Sequence, residues 1–208
     1  HESTRRQRQM CIRDRYMGAN QIGYENLNEL ENILSLPEIL DNHFNYIYYP
    51  VIDVAAHVYG TNSDEWQNEV NIFSEFLSRM IKIDSNRYTC ITADHGVVNI
   101  EDQNKFRLEY DESVKIYGDQ RAVYINGEVE KIEKVFKNIP GYFLKKEEII
   151  SLLGTPNNED IENFYPEQIF LLDDGNIIFP NHLSANLKGY HGGISKTEVS
   201  IPLIEIVN

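Results

Sequence analysis

Apolar residues along this chain form two kinds of pattern, a spacing of three to four residues and short continuous runs. Stretches with apolar positions three to four residues apart predict amphipathic helices, and the first of these carries Leu27, Leu30 and Leu34 ahead of Pro37. Short runs rich in β-branched and aromatic residues predict strands at residues 44–52, 88–93, 121–125, 142–144, 168–172, 176–179 and 201–207. Because strands and helices alternate, the pattern predicts an α/β fold with helices layered around a mostly parallel sheet.

Local signals add expectations for particular segments. The turn sequence Asp173-Asp174-Gly175 lies between two predicted strands and predicts a hairpin. Thr61, with Asp64 three residues later, predicts the start of a helix. The polar stretch 99–118 predicts a surface excursion, and residues 146–153 predict a helix.

Composition narrows the classes of partner. The chain has 208 residues, of which 41% are hydrophobic and 25% charged, as in an ordinary globular domain. Its net charge of −14 argues against a nucleic-acid polymer or an anionic membrane as the main partner. No segment approaches the roughly 18 consecutive apolar residues of a membrane span. A small phosphorylated substrate stays open, because bound cations can reverse the local field.

The first residues differ from the rest of the chain. Residues 1–15 contain five arginines and two acidic residues, and the string 6–15 resembles translated sequencing-adapter read-through. We therefore predict a non-native or disordered arm over residues 1–17 and one domain over residues 18–208. A basic docking tail is the alternative. With the natural N-terminus missing, both a cytoplasmic and an exported location stay open. Cys11 lies in the arm and Cys90 in a strand predicted to be buried, so no disulfide is implied.

Three short segments contain residues suited to metal binding. They are Asp53 with His57, then Asp94-His95-Gly96, then His191-Gly192-Gly193. Two carboxylates and three imidazoles form a mixed set of ligands that suits zinc better than manganese or iron.

The spacing within each segment supports this interpretation. An aspartate and a histidine four residues apart share one face of a helical turn. Gly96 permits a strand to end beside His95, and glycine next to His191 lets the backbone approach an ion or a phosphate. Taken singly, the segments have plainer interpretations: a helix start, a turn with a buried histidine, and an ordinary loop. Their joint occurrence in this order favours a metal site.

The combined motifs resemble the type I phosphodiesterase/nucleotide pyrophosphatase family of the alkaline phosphatase superfamily. The resemblance runs from about Gly18 to the end and rests on three motifs. The first is Tyr48-Tyr49-Pro50-Val51-Ile52-Asp53 with His57, Gly60 and Ser63, and the second is Thr92-Ala93-Asp94-His95-Gly96. The third is Gly189-Tyr190-His191-Gly192-Gly193 with Glu198 and Pro202. It is stronger toward the bacterial branch than toward the animal ectoenzymes. It implies the C-terminal part of a three-layer α/β/α fold with a mostly parallel sheet.

The resemblance also implies two divalent metal ions, zinc in the family. Asp53, His57 and His191 would hold one ion, and Asp94 with His95 would provide half of the second site. The family completes that second site with an N-terminal aspartate and a nucleophilic threonine or serine, and neither has a counterpart here. The implied reaction is hydrolysis of a phosphodiester or pyrophosphate bond through a phospho-enzyme, which this chain alone would not perform.

Several alternatives stay open at this stage. The chain could belong to another branch of the superfamily, such as a phosphomutase or a phosphonate hydrolase, or it could be a catalytically inactive metal-binding fragment. Tyr49 and Tyr190 flank the predicted site and could stack on a nucleobase, although buried packing is the plainer role. Glu198 is expected to form a helix cap or a salt bridge rather than to act in catalysis.

Overall fold

The computed structural model describes residues 19–40, 44–81, 88–162, 165–180 and 186–207. The chain divides into two units, His1–Tyr46 and Ile47–Asn208. The predicted arm, residues 1–17, lies outside the described residues, so its separation from a domain stays a prediction. Within the described residues, no helix has the length and apolar character needed to cross a membrane.

The first unit contains the helix that the leucine spacing predicts. Helix α1 (Leu27–Leu34) buries all three of its leucines, which lie on one face because they are three and four residues apart. The Asn26 side chain caps the helix by accepting a hydrogen bond of 3.0 Å from the Glu29 amide. A short helix, α2 (Pro37–Leu40), begins at the proline, where a missing N–H group costs nothing.

The second unit contains the remaining elements. They are α3 (Val51–Tyr59), α4 (Asp64–Met80), β1 (Tyr88–Thr92), β2 (Val98–Asn99), a 3₁₀ turn (Asp102–Asn104), β3 (Lys105–Leu108), β4 (Val114–Gly118), β5 (Ala122–Gly127), α5 (Val129–Phe136), β6 (Gly141–Phe143), α6 (Lys146–Leu153), α7 (Glu159–Glu162), β7 (Gln168–Leu172), β8 (Ile177–Pro180), β9 (Gly189–Tyr190), α8 (Lys196–Val199) and β10 (Leu203–Val207). Helices and strands are interspersed without the predicted regular alternation, since β1 to β5 follow one another with no α-helix between them. The α/β class is confirmed.

Strand pairing differs from the expected mostly parallel sheet. The largest described sheet has the order β4-β5-β7-β6, and its three pairings are antiparallel. β1 pairs with β10 and β2 with β9, again antiparallel, whereas β3 and β8 run parallel. Parallel pairing is thus confined to β3 and β8 among the described strands. Residues 119–121 connect β4 to β5, and so short a connection can join only antiparallel neighbours.

The predicted hairpin between residues 168–172 and 176–179 is wrong, although both strands exist. β7 lies inside the largest sheet, with β5 on one edge and β6 on the other. Both of its hydrogen-bonding edges are therefore occupied, and β8 pairs instead with β3.

Two predicted segments have a different structure for reasons of packing. Residues 44–50 form no strand, their Phe44 side chain is 82% exposed, and α3 begins at Val51. The predicted surface excursion 99–118 contains β3 and β4, and it places Leu108 and Val114 in the main core. The sequence did not predict these two strands, because each buries a single core residue in a stretch that is otherwise largely polar.

Smaller corrections concern exposure and capping. Cys90 is exposed rather than buried, because burial of a strand residue depends on what covers its face of the sheet and not on the strand's apolar composition alone. Helix α4 begins after Ser63, not Thr61: the Ser63 hydroxyl accepts a hydrogen bond of 3.1 Å from the Trp66 amide.

The main core lies between the largest sheet and α5. An aromatic cluster occupies its centre: the Phe170 ring lies 4.7 Å from Phe136 and 4.8 Å from Phe143, measured between ring centroids. The other buried members of this core are Leu108, Val114, Val123, Ile125, Ile132, Leu172 and Ile178. This packing anchors β5 and β7, which in turn hold the connections that reach the candidate site.

Replacing Phe170 with alanine should reduce the free energy of unfolding by about 3–5 kcal/mol, because it empties the centre of this cluster. Urea denaturation measures the loss. The matched control is Tyr142→Ala on the adjacent strand β6, whose side chain is 49% exposed and which should cost less than about 1 kcal/mol. Equal losses in the two variants would contradict the assignment of the core.

Candidate functional site

Helix α3 carries the first pair of predicted metal ligands. Asp53 and His57 are four residues apart and therefore lie on one face of the helix, with His57 Nε2 3.3 Å from Asp53 Oδ1. Residues 44–50, directly before α3, form no strand, so Asp53 and His57 converge because of the helix itself and not at the end of the predicted strand 44–52.

The other ring nitrogen of His57 is held by the backbone of β9. Its Nδ1 lies 2.7 Å from the Gly189 carbonyl oxygen. A carbonyl can only accept, so we assign the Nδ1 hydrogen to this bond. Nε2 then faces Asp53. Metal-binding histidines are oriented in the same way, with one nitrogen donating to a carbonyl and the other directed at the ion.

Two further histidines complete the cluster. The His95 and His191 rings stack with their centroids 3.6 Å apart, and the His191 centroid lies 5.2 Å from that of His57. Asp94 is placed differently: its side chain is 80% exposed, and its Oδ1 lies 3.7 Å from His95 Nε2. The structure thus brings together four of the five predicted ligands, with Asp94 at the solvent.

Protonation in this cluster suits metal ligands. Burial acts to raise the pKa of Asp53, but the hydrogen bond to His57 and the charges of the three histidines outweigh it, and the pKa is lowered. Burial, together with the nearby His95, lowers the pKa of His191, and the Asp119 carboxylate opposes this effect. An ionised aspartate and a neutral histidine are the forms that bind metal.

The donor types fit a divalent metal, whereas the present ring orientations do not form a closed site. Among the described residues, no three histidine, cysteine, aspartate or glutamate side chains are arranged to hold an ion. The stacked His95 and His191 rings direct their in-plane lone pairs along nearly parallel planes, so these two imidazoles do not converge on a single ion.

Glycines let two pairs of chain segments near the site approach backbone to backbone. A Cβ added at Gly96 would lie 2.0 Å from the Thr197 carbonyl oxygen, and one added at Gly189 would lie 2.3 Å from the Ala56 carbonyl oxygen. Neither position has room for a side chain. The predicted approach of the backbone beside His191 to an ion or a phosphate stays a prediction.

Sequence reasoning missed Asp119 and Arg121. Asp119 lies in the turn before β5, against Gly192, and its charge acts on His191. Arg121 is buried and pairs with Glu198, in agreement with the salt bridge expected of Glu198. The only signal was an arginine at the start of a strand that is otherwise apolar.

The two predicted substrate-binding tyrosines are engaged in packing. The Tyr49 ring stacks on Phe73 with centroids 4.8 Å apart. Tyr190 is buried, its ring lies 5.7 Å from Phe179, and its hydroxyl donates to the Leu187 carbonyl. These contacts favour the packing role, and nucleobase stacking stays a prediction.

The comparison with protein families decides the family. A family model described as the BREX system PglZ alkaline phosphatase-like domain matches residues 1–206. The chain belongs to this PglZ family. The alkaline phosphatase superfamily membership expected from the motifs is confirmed. The match begins at residue 1, so it does not separate the predicted arm, residues 1–17, from the predicted domain that begins at residue 18. Among curated proteins, none matches this PglZ chain.

Solved structures show the same fold. Murine ectonucleotide pyrophosphatase/phosphodiesterase 5 has a TM-score of 0.67 and 18% identity, over 88% of this chain and 54% of that one. The human protein has a TM-score of 0.63 and 16% identity, over 86% of this chain and 50% of that one. Phosphonoacetate hydrolase from Sinorhizobium meliloti 1021 has a TM-score of 0.54 and 15% identity, over 74% of this chain and 43% of that one. The PglZ chain therefore spans about half the length of the structures it matches.

Gly192→Ala tests the packing beside His191. Gly192 has a φ of +101°, and an added Cβ would lie 2.1 Å from the Asp119 carboxylate. Backbone strain alone should cost on the order of 1–3 kcal/mol, and the clash should add to it. The matched control is Gly154→Ala, at φ +77° with nothing within 4 Å of the added Cβ. Urea unfolding should show a larger loss at Gly192, and equal losses would refute the close approach of Asp119.

Proposed function

We propose that this chain is part of a metal-dependent hydrolase of phosphodiester or pyrophosphate bonds that uses two divalent ions, preferably zinc. The coarser statement, an alkaline phosphatase-like hydrolase family, follows from the family membership. The observation that carries the proposal is the pairing of Asp53 with His57 Nε2 at 3.3 Å, while the Gly189 carbonyl occupies Nδ1.

This pairing supports an ion for an electrostatic reason. With Nδ1 donating to a carbonyl, Nε2 faces the carboxylate either with a proton or with a lone pair. Two more imidazoles lie nearby, and their mutual repulsion disfavours several protonated rings at once. One divalent ion bound to neutral rings and an ionised Asp53 would satisfy all of these groups.

The proposed ligands divide into two sets. Asp53, His57 and His191 would hold one ion, and Asp94 with His95 would contribute to the second. Ions bound in this way polarise phosphoryl oxygens and lower the pKa of bound water to about 7. The Gly189 carbonyl orients His57, and the solvent exposure of Asp94 leaves the second set open on one side.

We infer that the threonine or serine nucleophile comes from polypeptide outside this chain. The chain spans about half the length of murine ectonucleotide pyrophosphatase/phosphodiesterase 5. β1 and β10 also expose large apolar side chains: Tyr88 is 61% exposed, Leu203 68% and Val207 77%. Inner strands of an α/β sheet are normally covered on both faces. Further polypeptide over these strands would supply both the cover and the nucleophile.

The proposed substrate is a small phosphorylated or nucleotide-like molecule. One murine structure of similar fold is an inactive variant in complex with AMP, and the bacterial hydrolase is in complex with phosphonoacetate. The net charge of −14 disfavours a nucleic-acid polymer unless bound ions reverse the local field.

A second candidate is a metal-binding fragment without catalytic activity. The exposed Asp94 and the stacked His95 and His191 rings favour it, because they leave the second ion without a closed site.

Metal binding tests the site itself. The wild-type chain should bind about one zinc ion tightly, and Asp53→Asn should weaken that affinity at least about 100-fold, more than the loss of an outer-shell partner. Isothermal titration with metal analysis after dialysis measures both. Asp102→Asn is the matched control, since Asp102 is exposed and pairs with Lys105 instead. Unchanged affinity in Asp53→Asn would refute the proposed ligand.

Activity tests the missing nucleophile. The 208-residue chain with zinc should not hydrolyse bis(nitrophenyl) phosphate, whereas a chain extended by the upstream reading frame of the same gene should. The absorbance of released nitrophenolate measures turnover. Equal activity in both would show that the nucleophile lies within this chain, and inactivity of both with zinc bound would favour the metal-binding fragment.

A further inference from the structure

Glu198 joins the two loops that carry His95 and His191. Its side-chain Oε1 accepts a hydrogen bond of 2.8 Å from the Gly193 amide, two residues after His191. Its main-chain carbonyl accepts one of 2.8 Å from the Gly96 amide, directly after His95. A single residue therefore contacts the backbone beside both histidines.

Arg121 holds Glu198 in a fixed direction. Its Nε donates to Glu198 Oε1 at 2.6 Å and its Nη2 to Oε2 at 2.8 Å, so the pair is bidentate. Nη1 donates to the Asn176 carbonyl at 2.5 Å, and the Ser195 hydroxyl donates to Glu198 Oε2 at 2.5 Å. The two side chains are 1% and 3% exposed. Bidentate pairs of this kind fix orientation as well as distance.

The pair is also anchored to the core of the fold. The Arg121 carbonyl accepts a hydrogen bond of 3.1 Å from the Leu172 amide at the end of β7. The loop after His191 lies directly on the pair, because a Cβ added at Gly193 would be 2.8 Å from Glu198 Oε2 and 2.9 Å from Arg121 Nε. Movement of the pair would therefore move both histidine loops.

Stability does not explain this arrangement. Replacing a buried ion pair with apolar residues of similar volume is often neutral or stabilising, because the desolvation cost of the two charges is removed. An apolar pair could not accept the hydrogen bond from the Gly193 amide, and so could not fix the position of that amide. The pair therefore serves to fix the position of the loop that contains Gly193.

We propose that Arg121 and Glu198 are positioning residues that hold the backbone of the two loops carrying His95 and His191, and so set where these two histidines can meet metal ions. This inference rests on the proposed function, because it presupposes the metal site. Neither residue contacts an ion in this scheme; both act through the backbone of Gly96 and Gly193.

The decisive variant replaces both partners, Arg121→Met with Glu198→Leu, in the full 208-residue chain. Truncating one partner alone would leave a buried charge with no hydrogen-bond partner and destabilise the protein strongly. The double variant removes both charges and should stay folded, with a urea midpoint lowered by the loss of the Gly193 and Asn176 hydrogen bonds. Its affinity for Co²⁺, followed by the visible absorption of the bound ion, should fall about 10–100-fold, with an altered band shape. A folded double variant with wild-type affinity and spectrum would overturn the proposal.

A milder variant decides the matter if the double variant does not fold. Glu198→Gln keeps the side-chain volume, but its amide nitrogen cannot accept a hydrogen bond, so one of the Gly193 and Arg121 contacts is lost. Its Co²⁺ affinity should fall about tenfold. Glu128→Gln is the matched control, because Glu128 is exposed and pairs with Lys131 away from both loops. Equal Co²⁺ affinity in the two glutamine variants would overturn the positioning role.

The two proposals fail in different ways. If the wild-type chain binds no Co²⁺, the metal site is refuted and the positioning role with it. If wild type binds Co²⁺ and both Glu198 variants bind it equally well, only the positioning role is refuted.

Discussion

The buried pair of Arg121 and Glu198 is the interaction on which the candidate site depends. Each charge has lost its water, so each must be matched by the other and by fixed hydrogen-bond partners. Four donors meet the Glu198 carboxylate: Arg121 Nε and Nη2, the Gly193 amide and the Ser195 hydroxyl. Because these partners come from the sheet and from the histidine loop, satisfying one buried carboxylate also fixes the site.

Close backbone packing completes what the ion pair begins. Gly96 and Gly189 lie so near neighbouring carbonyls that no side chain fits. Gly189 brings β9 against α3, and Gly96 brings the loop after β1 against α8. The consequence is a cluster of three imidazoles around one carboxylate, partly removed from water. Burial lowers the pKa of His191 there, and the pKa of Asp53 is lowered by His57 and the other histidines against the effect of burial.

The parts of the fold that could be predicted are those decided by local pattern. Residues 146–153 and 168–172 have the predicted type and bounds. The apolar run 168–172 is buried almost throughout, whereas helix 146–153 buries Ile149 alone and begins with a capping-box hydrogen bond from the Lys145 amide to the Glu148 side chain. Residues 44–50 show the opposite case. Their aromatic and β-branched residues predicted a strand, but β-propensity reflects packing against neighbouring strands, and none is paired with them in the described structure. Strand partners were likewise unpredictable, since β7 takes β5 and β6 from distant parts of the chain.

The sequence by itself determined the chemistry of the site: an aspartate and a histidine one helical turn apart, and two histidine loops with glycines beside them. These are short-range features that the residue order alone makes visible, whereas their role as a metal site stays a prediction. Tertiary structure decided which of them meet, leaving Asp94 at the solvent and placing Asp119 against Gly192. It also paired Arg121 with Glu198, 77 residues away. Such a pairing has no local signature, because its stability comes from desolvation and geometry that exist only once the chain is folded.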